Sequence, residues 1–451
     1  GTVKCIEDEI PFELPEGWEW TRLQAICEPI TDGTHKTPTY SDEGFIFLSS
    51  KNVTSGHIDW DNIMYIPESL HNELYARLAP QKNDILLAKN GTTGVAAIVD
   101  RDCIFDIYVS LALLRIIGYI ISPEYLLSTI ASSTIQNYFN SSLKGIGVPN
   151  LHLEHIRTTL IPVAPINEQY QIATKLEQLL SFADNIESDK TDLQTTIQLT
   201  KSKILDLAIR GKLVPQNPDD EPASVLLDRI RAEKEELIKQ GKIKRDKKES
   251  VIFRGEDNSY YEKIGDTVTC IDEELPFELP DEWTWCRGAS CFLPMESRKP
   301  SSSHFKYIDI DSIDNKHQAI REAKITETAK APSRASRAVF DGSILFSLVR
   351  PYLKNIALVD SSNADSIAST GFYIATSNGV FIPKFLYILM ISAYVVDGLN
   401  QFMKGDNSPS ISKDNIEKWL YPVPPLAEQE KIADIVQKYI RILEDIEKSL
   451  S

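Results

Sequence analysis

The residues with the most chemical potential are short basic and amide-bearing clusters set among turn formers. In DGTHKTP they are Thr34, His35 and Lys36. Ser50, Lys51 and Asn52 follow an alternating apolar stretch, and LAKNGTTG supplies Lys89, Asn90, Thr92 and Thr93. Later in the chain, MESRKPSSS carries Arg298, Lys299 and Ser301, SRASR carries Arg334 and Arg337, and SLVRPYLKN carries Arg350, Tyr352 and Lys354. Lys144 and Lys404 each open a Lys-Gly-x-x-x-Pro loop. Cations and backbone amides in such turns suit phosphates, while Arg or Lys matches guanine and Asn or Gln matches adenine in the major groove. Turns held by a rigid scaffold are the usual place for such groups. The clusters are therefore expected to contact DNA. A solvated surface is the competing reading for any single member.

Other chemistry is missing its motifs. Asn217-Pro218 is followed by Asp219-Asp220, so the N/D-P-P-Y/F loop expected of an amino-methyltransferase is absent. No G-x-x-x-x-G-K-[ST] occurs to cradle a nucleotide triphosphate. His152-x-x-His155 has helical metal spacing, but its repeat counterparts are Ser412 and Asn415, which disfavours zinc. Asp309, Asp311 and Asp314 face Ser49 and Lys51 in the other half, so a strand edge is expected there rather than a cation site. No catalytic residue, metal or cofactor is assigned to this chain.

The 451 residues suggest two or three domains. A net charge of −17 opposes broad nucleic-acid affinity and points to a partner that supplies part of it. Residues 321–360 nevertheless hold seven basic and four acidic side chains, a locally positive stretch. The longest apolar run, Val109 to Ser122, contains Arg115 and is too short for a bilayer. No signal-peptide pattern opens the sequence. The six cysteines form no CxxC pair, which fits reduced thiols in a cytoplasm.

The chain repeats itself. Residues 2–20, TVKCIEDEIPFELPEGWEW, match residues 267–285, TVTCIDEELPFELPDEWTW, at twelve of nineteen positions. Residues 161–173, IPVAPINEQYQIA, match residues 421–433, YPVPPLAEQEKIA. Phe45, Phe47 and Leu48 align with Phe305, Tyr307 and Ile308, an alternation that predicts strands. After each closing motif the period becomes helical. No Pro or Gly interrupts about Asn167 to Arg210, and Gly211 stops the pattern. Ile172, Leu176, Leu179, Ala183, Ile186, Leu193, Ile197, Ile204 and Leu207 form its seam. Ile432, Ile435, Tyr439, Ile442 and Ile446 form the second, at heptad spacing, expected to lie antiparallel to the first. A further helix is expected from Ala223 to about Gln240, followed by a basic run, Lys242–Lys248. The repeat also leads one to expect a stretch equivalent to residues 211–265 ahead of residue 1.

Both PFELP-x-x-W-x-W motifs, both P-x-x-EQ-x-x-IA motifs and the AIRGKLVPQ segment leading to IRAEK together resemble the specificity subunit of type I restriction–modification systems. The resemblance spans essentially the whole chain. It implies an α+β fold with two target-recognition domains, residues 1–165 and 266–425, a helical spacer, 166–265, and a distal helix, 426–451. A pseudo-two-fold repeat of the halves goes with it. It implies a non-catalytic, cytoplasmic prokaryotic protein that binds a bipartite double-stranded DNA target. Two modification subunits would bring S-adenosylmethionine, and two restriction subunits ATP, Mg2+ and cleavage. A fused methyltransferase or nuclease, and an interaction scaffold without DNA contact, are the competing readings.

Overall fold

Every residue of the strand Ile85–Ala88 is buried, because apolar side chains leave both of its faces. Ile85 and Leu87 join a core cluster with Ala112, Leu114, Leu126 and Phe139. Leu86 and Ala88 join another with Phe105, Ile107, Leu111 and Leu113. Successive side chains of a strand point to opposite faces, so an unbroken apolar run here is a strand between two layers. The run from Val109 resolves the same way: it holds the strand Leu111–Ile116, and Arg115 donates from Nε and Nη2 to the two oxygens of Asp84 at 3.0 and 2.8 Å.

The computed structural model describes residues 5–54, 56–143, 149–242 and 249–450. The chain divides into two compact units, Gly1–Ser188 and Asp189–Ser451. In the first, one sheet runs Cys27–Asp32, Leu111–Ile116, Ile85–Ala88, Ala96–Ile98 with antiparallel neighbours. A second sheet runs Met64–Ile66, Phe45–Leu48, Phe105–Ile107, and its last pair is parallel. The strand Glu19–Arg22 pairs with Leu160–Val163, tying the opening motif to the closing one.

The second unit repeats this frame. Ile344–Ser347 lies between Ile356–Leu358 and Phe372–Ala375, with Ile344 and Phe346 in one core cluster and Leu345 in another. His304–Ile308 pairs in parallel with Ile367–Ser369, and Thr284–Arg287 pairs with Leu420–Val423. The strands expected around Phe45 to Leu48 and Phe305 to Ile308 are present in both units. A three-stranded meander, Ser250–Arg254, Tyr260–Ile264 and Thr267–Cys270, is found in the second unit.

The three helices read from the sequence form at Ile166–Ile209, Ala223–Lys239 and Leu426–Ser449. Within the second unit, Lys201 and Gln198 meet Glu447 at 2.7 and 3.0 Å, while Gln216 meets Glu428 at 2.7 Å. The last helix thus passes the end of the long one in the opposite sense. The expected seam forms only in part. Ile197 and Ile432 are buried, but Leu179, Ile186, Leu193, Tyr439 and Ile442 stay 41–52% exposed. The sulfur atoms of Cys286 and Cys291 adjoin one another. No helix among the described residues is long and apolar enough to cross a membrane.

Candidate nucleic-acid interface

In the first unit the candidate clusters converge on one turn, Tyr108 to Ser110, between the strands Phe105–Ile107 and Leu111–Ile116. Thr34 lies alongside Tyr108: its N–H donates to the Ile107 carbonyl at 3.1 Å, and the Val109 N–H donates to the Thr34 carbonyl at 3.0 Å. Gly33 permits this approach, because a Cβ there would overlap the Ile107 carbonyl oxygen. From the opposite side, the Ser50 N–H donates to Ser110 Oγ at 2.9 Å and the Lys89 N–H to the Ser110 carbonyl at 2.8 Å. Asn90 bridges Asn150, and the Leu151 N–H donates to the Lys89 carbonyl at 2.9 Å. Turns far apart in the sequence are thereby brought to one rim. His35, Lys36, Lys51 and Thr92 are exposed on it, and Thr34, Ser50, Asn90 and Thr93 are partly so.

Two candidates are corrected. Lys89 is buried and forms an ion pair with Asp32, Nζ to Oδ2 2.5 Å, whose other oxygen lies 3.4 Å from His35 Nε2. Its charge is spent inside the fold, not on the rim. Asn52 is also buried: its Oδ1 accepts from the Ser49 N–H at 2.9 Å, and its Nδ2 donates to the Asp59 and Asn62 carbonyls at 3.2 and 3.0 Å. It is half of a capping box on the 3-10 turn Ser50–Val53. Asp309 and Ser312 form the equivalent box on the turn Ile310–Ser312. The exchange of Ser49 for Asp309 is therefore a change of cap rather than of reading surface. Of the two glycines in LAKNGTTG, Gly94 is turned against Gln136, which donates to its carbonyl at 3.0 Å.

The turn is held from below. His71 and Asp106 form a buried contact of 2.7 Å, and the His71 ring stacks on Phe45 at 3.7 Å. Burial pushes the Asp106 carboxyl above its ordinary range, against the His71 hydrogen bond. Tyr108, Asn150 and Asp32 adjoin these clusters and carry no motif that marks them in the sequence. The repeat could have found Asn150, which aligns with Ser410.

In the second unit the corresponding turn is Thr370–Gly371. The Thr370 N–H donates to the Arg334 carbonyl at 2.8 Å, as Val109 does to Thr34. The Leu348 N–H donates to the Gly371 carbonyl at 2.8 Å, as Lys89 does to Ser110. The Ile411 N–H donates to the Leu348 carbonyl at 2.9 Å, as Leu151 does to Lys89. Arg350 and Lys354 bracket the 3-10 turn Pro351–Leu353 with φ of 48° and 53°. Left-handed backbone at a non-glycine costs about 1–3 kcal/mol and clusters at functional sites. Arg350 also donates its N–H to the Pro409 carbonyl and Nη2 to the Asn407 carbonyl, both at 2.8 Å, and Lys404 bridges Ser410 in that same loop. Arg334, Arg350, Tyr352 and Lys404 are exposed, and Lys354 is partly so.

Beside Arg334, Ser297 bridges Arg337, and the Arg298 N–H donates to the Ser336 carbonyl at 2.9 Å. The Arg298 head is held against Phe340 and the Ala364 carbonyl, while Lys299 and Ser301 are exposed. Lys144 and residues 243–248 of the basic run lie outside the described residues. His152 and His155 stand edge to face at 6.4 Å. Among the described residues no cluster of three or more His, Cys, Asp or Glu could hold a metal. Asp309 is a cap, and Asp314 closes its own turn through His317 at 3.0 Å.

Comparison with known proteins gives concordant results. The family model of the type I restriction modification DNA specificity domain matches residues 15–195 and 306–451. The EcoAI specificity subunit of Escherichia coli is 26% identical, over 96% of this chain and 79% of its own length. The EcoEI specificity subunit of the same species is 25% identical, over 99% and 82%. Among solved structures, the HsdS subunit of Thermoanaerobacter tengcongensis superposes with a TM-score of 0.56 at 18% identity, covering 98% of this chain and 95% of that one. A chain from a structure described as the basis of complex assembly in the type I R-M system gives 0.60 at 17% identity, covering 98% and 94%. These two likenesses concern the fold.

Proposed function

We propose, from the premise that this chain belongs to the type I restriction modification DNA specificity family, that each of its units reads one half of a bipartite DNA target. The observation that carries this reading is the recurrence of one backbone frame under different side chains. The same three hydrogen bonds hold the turns Tyr108–Ser110 and Thr370–Gly371. The first presents Thr34, His35, Lys36, Ser50 and Lys51, and the second presents Arg334, Arg350, Tyr352 and Lys404. A common scaffold with unlike donors suits two readers of unlike sequences. The helical segments after each closing motif would set the spacing between half-sites, an expectation carried from the sequence. The chain itself would be non-catalytic and would act in the cytoplasm of its host. Two modification subunits would add S-adenosylmethionine and methylate one adenine per half-site, flipped out of the duplex. Two restriction subunits would add ATP, Mg2+ and cleavage.

The test is binding of the chain together with its modification partner to a methylated-target duplex across a salt series. Lys36→Ala with Lys51→Ala, and separately Arg334→Ala with Arg350→Ala, are each expected to weaken binding about tenfold or more. The salt slope should fall by about 1 for each phosphate contact removed. Unchanged affinity and slope in both variants would place the DNA elsewhere.

A further inference from the structure

One helix of the first unit holds both sides of its reading turn. The helix Glu68–Arg77 packs on the strand Phe105–Ile107, and its buried His71 brings Nδ1 to 2.7 Å from Asp106 Oδ2. The His71 ring also stacks on Phe45 of the neighbouring strand at 3.7 Å and meets Tyr75 at 4.9 Å. Six residues further, about 9 Å along the helix axis, Arg77 Nη2 donates to the Asp32 carbonyl at 2.9 Å. Arg115 Nη2 donates to the Ala79 carbonyl at 2.7 Å, which ties the chain just past the helix to the strand Leu111–Ile116.

The two residues so held stand just ahead of the displayed ones. Asp106 and Ile107 lead into Tyr108–Ser110, and Asp32 and Gly33 lead into Thr34, His35 and Lys36. The two segments are bonded to each other, Thr34 to Ile107 and Val109 to Thr34. Asp32 also takes Lys89 on one carboxylate oxygen and lies 3.4 Å from His35 by the other. Apolar packing brings surfaces together, whereas a buried hydrogen-bond network fixes one arrangement of them.

The second unit builds the same frame without this hold. Phe47 lies opposite Asp106 in the parallel strand pair, and its counterpart Tyr307 lies opposite Ile367, a buried apolar residue. Where the helix would fall, the chain between Ile308 and Ala335 forms only short strands and 3-10 turns. A buried charged pair brings little net stability over an apolar pair of similar size. Asp106 Oδ1 is moreover buried without a partner, which adds to the desolvation penalty. A polar pair at a place that an apolar residue fills in the repeat is explained by geometry rather than by stability.

We propose that His71 and Arg77 are positioning residues for the first reading surface. They act through Asp106 and Asp32 and touch no base themselves. His71 fixes where the strand ending at Ile107 delivers Tyr108–Ser110, and Arg77 fixes where the strand ending at Asp32 delivers Thr34–Lys36. Recognition groups must be held within about 0.5 Å of their productive place. Phosphate contacts carry no sequence information, so loosening either hold lowers selectivity before it lowers affinity. The inference rests on the reading of these turns as a DNA surface.

The experiment expresses the full chain with its modification partner in cells and maps N6-methyladenine at the target and at genomic sites one base pair away from it in either half. His71→Leu with Asp106→Leu replaces the polar pair by an apolar one, and the urea midpoint of the purified chain should match or exceed the parent's. Methylation at sites altered in one half of the target should rise at least about fivefold relative to the target itself, with sites altered in the other half unchanged. Arg77→Met, which removes an exposed side chain, should relax the same half, and it decides alone if the paired variant unfolds. Asp106→Asn, which can keep the hydrogen bond, should stay near the parent. Unchanged discrimination in the paired variant and in Arg77→Met overturns the proposal, as does a loss that tracks a fall in the urea midpoint. If Arg77→Met weakens binding to all sequences alike with a smaller salt slope, Arg77 is a phosphate contact and its positioning role is overturned. If Lys36→Ala with Lys51→Ala weakens binding while these variants keep discrimination, the positioning role alone fails; if none of them has an effect, the reading of the surface fails with it.

Discussion

Lys51 and Lys89 flank the same turn of the first unit and have opposite roles. Lys51 is exposed, whereas the Lys89 side chain is 7% exposed and paired with Asp32 at 9%. Removing one member of a buried ion pair strands the other charge, at a cost of about 3–5 kcal/mol. Lys89→Met is therefore expected to lower the unfolding free energy of the first unit by that amount, read by urea unfolding, and Lys89→Met with Asp32→Asn to recover most of it. A loss of DNA binding with stability intact would instead return Lys89 to the reading surface. A second residue-scale consequence concerns pH. Hydrogen bonds from His317 and from the Lys316 backbone hold the Asp314 carboxyl at about 2, below the usual 3.8. A carboxylate depressed in the folded state lends stability above its unfolded pKa, and that stability is lost as pH falls through the folded one. Its window here is from about 4 down to about 2. His317→Ala should move the Asp314 midpoint, followed by carbon NMR, back up toward 3.8; an unmoved midpoint would show that the turn's backbone alone holds it.

Elements were legible where their cause was local. The helix Ile166–Ile209 lacks Pro and Gly and stops ahead of Gly211, and the strand Phe45–Leu48 is a short run of aromatic and branched apolar residues with a counterpart in the repeat, so both could be read directly. The pairing of Lys89 with Asp32 could not, because 57 residues separate them and no local pattern links a buried cation to its partner. Nor could the equivalence of Thr34 and Arg334. They reach matching positions from different strands, since Ala335–Ala338 joins the sheet beside Ile367–Ser369 in the second unit only. The candidate clusters were found, then, without the reason they meet. Asn52 looked like a base reader because amide side chains serve base edges and caps alike. Gly211 offers the element-scale test. It combines a left-handed backbone with direct contact on Pro280 and Trp283. Gly211→Ala should destabilise the second unit by about 1–3 kcal/mol, read by urea unfolding; an unchanged midpoint would mean that Gly211 is not packed on Pro280 and Trp283.

At the scale of the molecule, 65 acidic residues stand against 48 basic ones, yet the polar turns of each unit gather cations on a single frame. Local positive charge within an acidic chain favours contact at defined turns over binding along any duplex. The frame recurs at an offset of about 260 residues while its side chains diverge, as Lys89 does from Leu348 and Asn150 from Ser410. The proposal of two grips of separate specificity rests on that divergence. The most direct measurement replaces residues 21–160 by those of a relative, pairs the hybrid with its modification partner in cells, and maps N6-methyladenine across the genome. One half of the methylated target should change while the other half and the spacing persist. A target altered in both halves, or in neither, would contradict two independent readers on one chain.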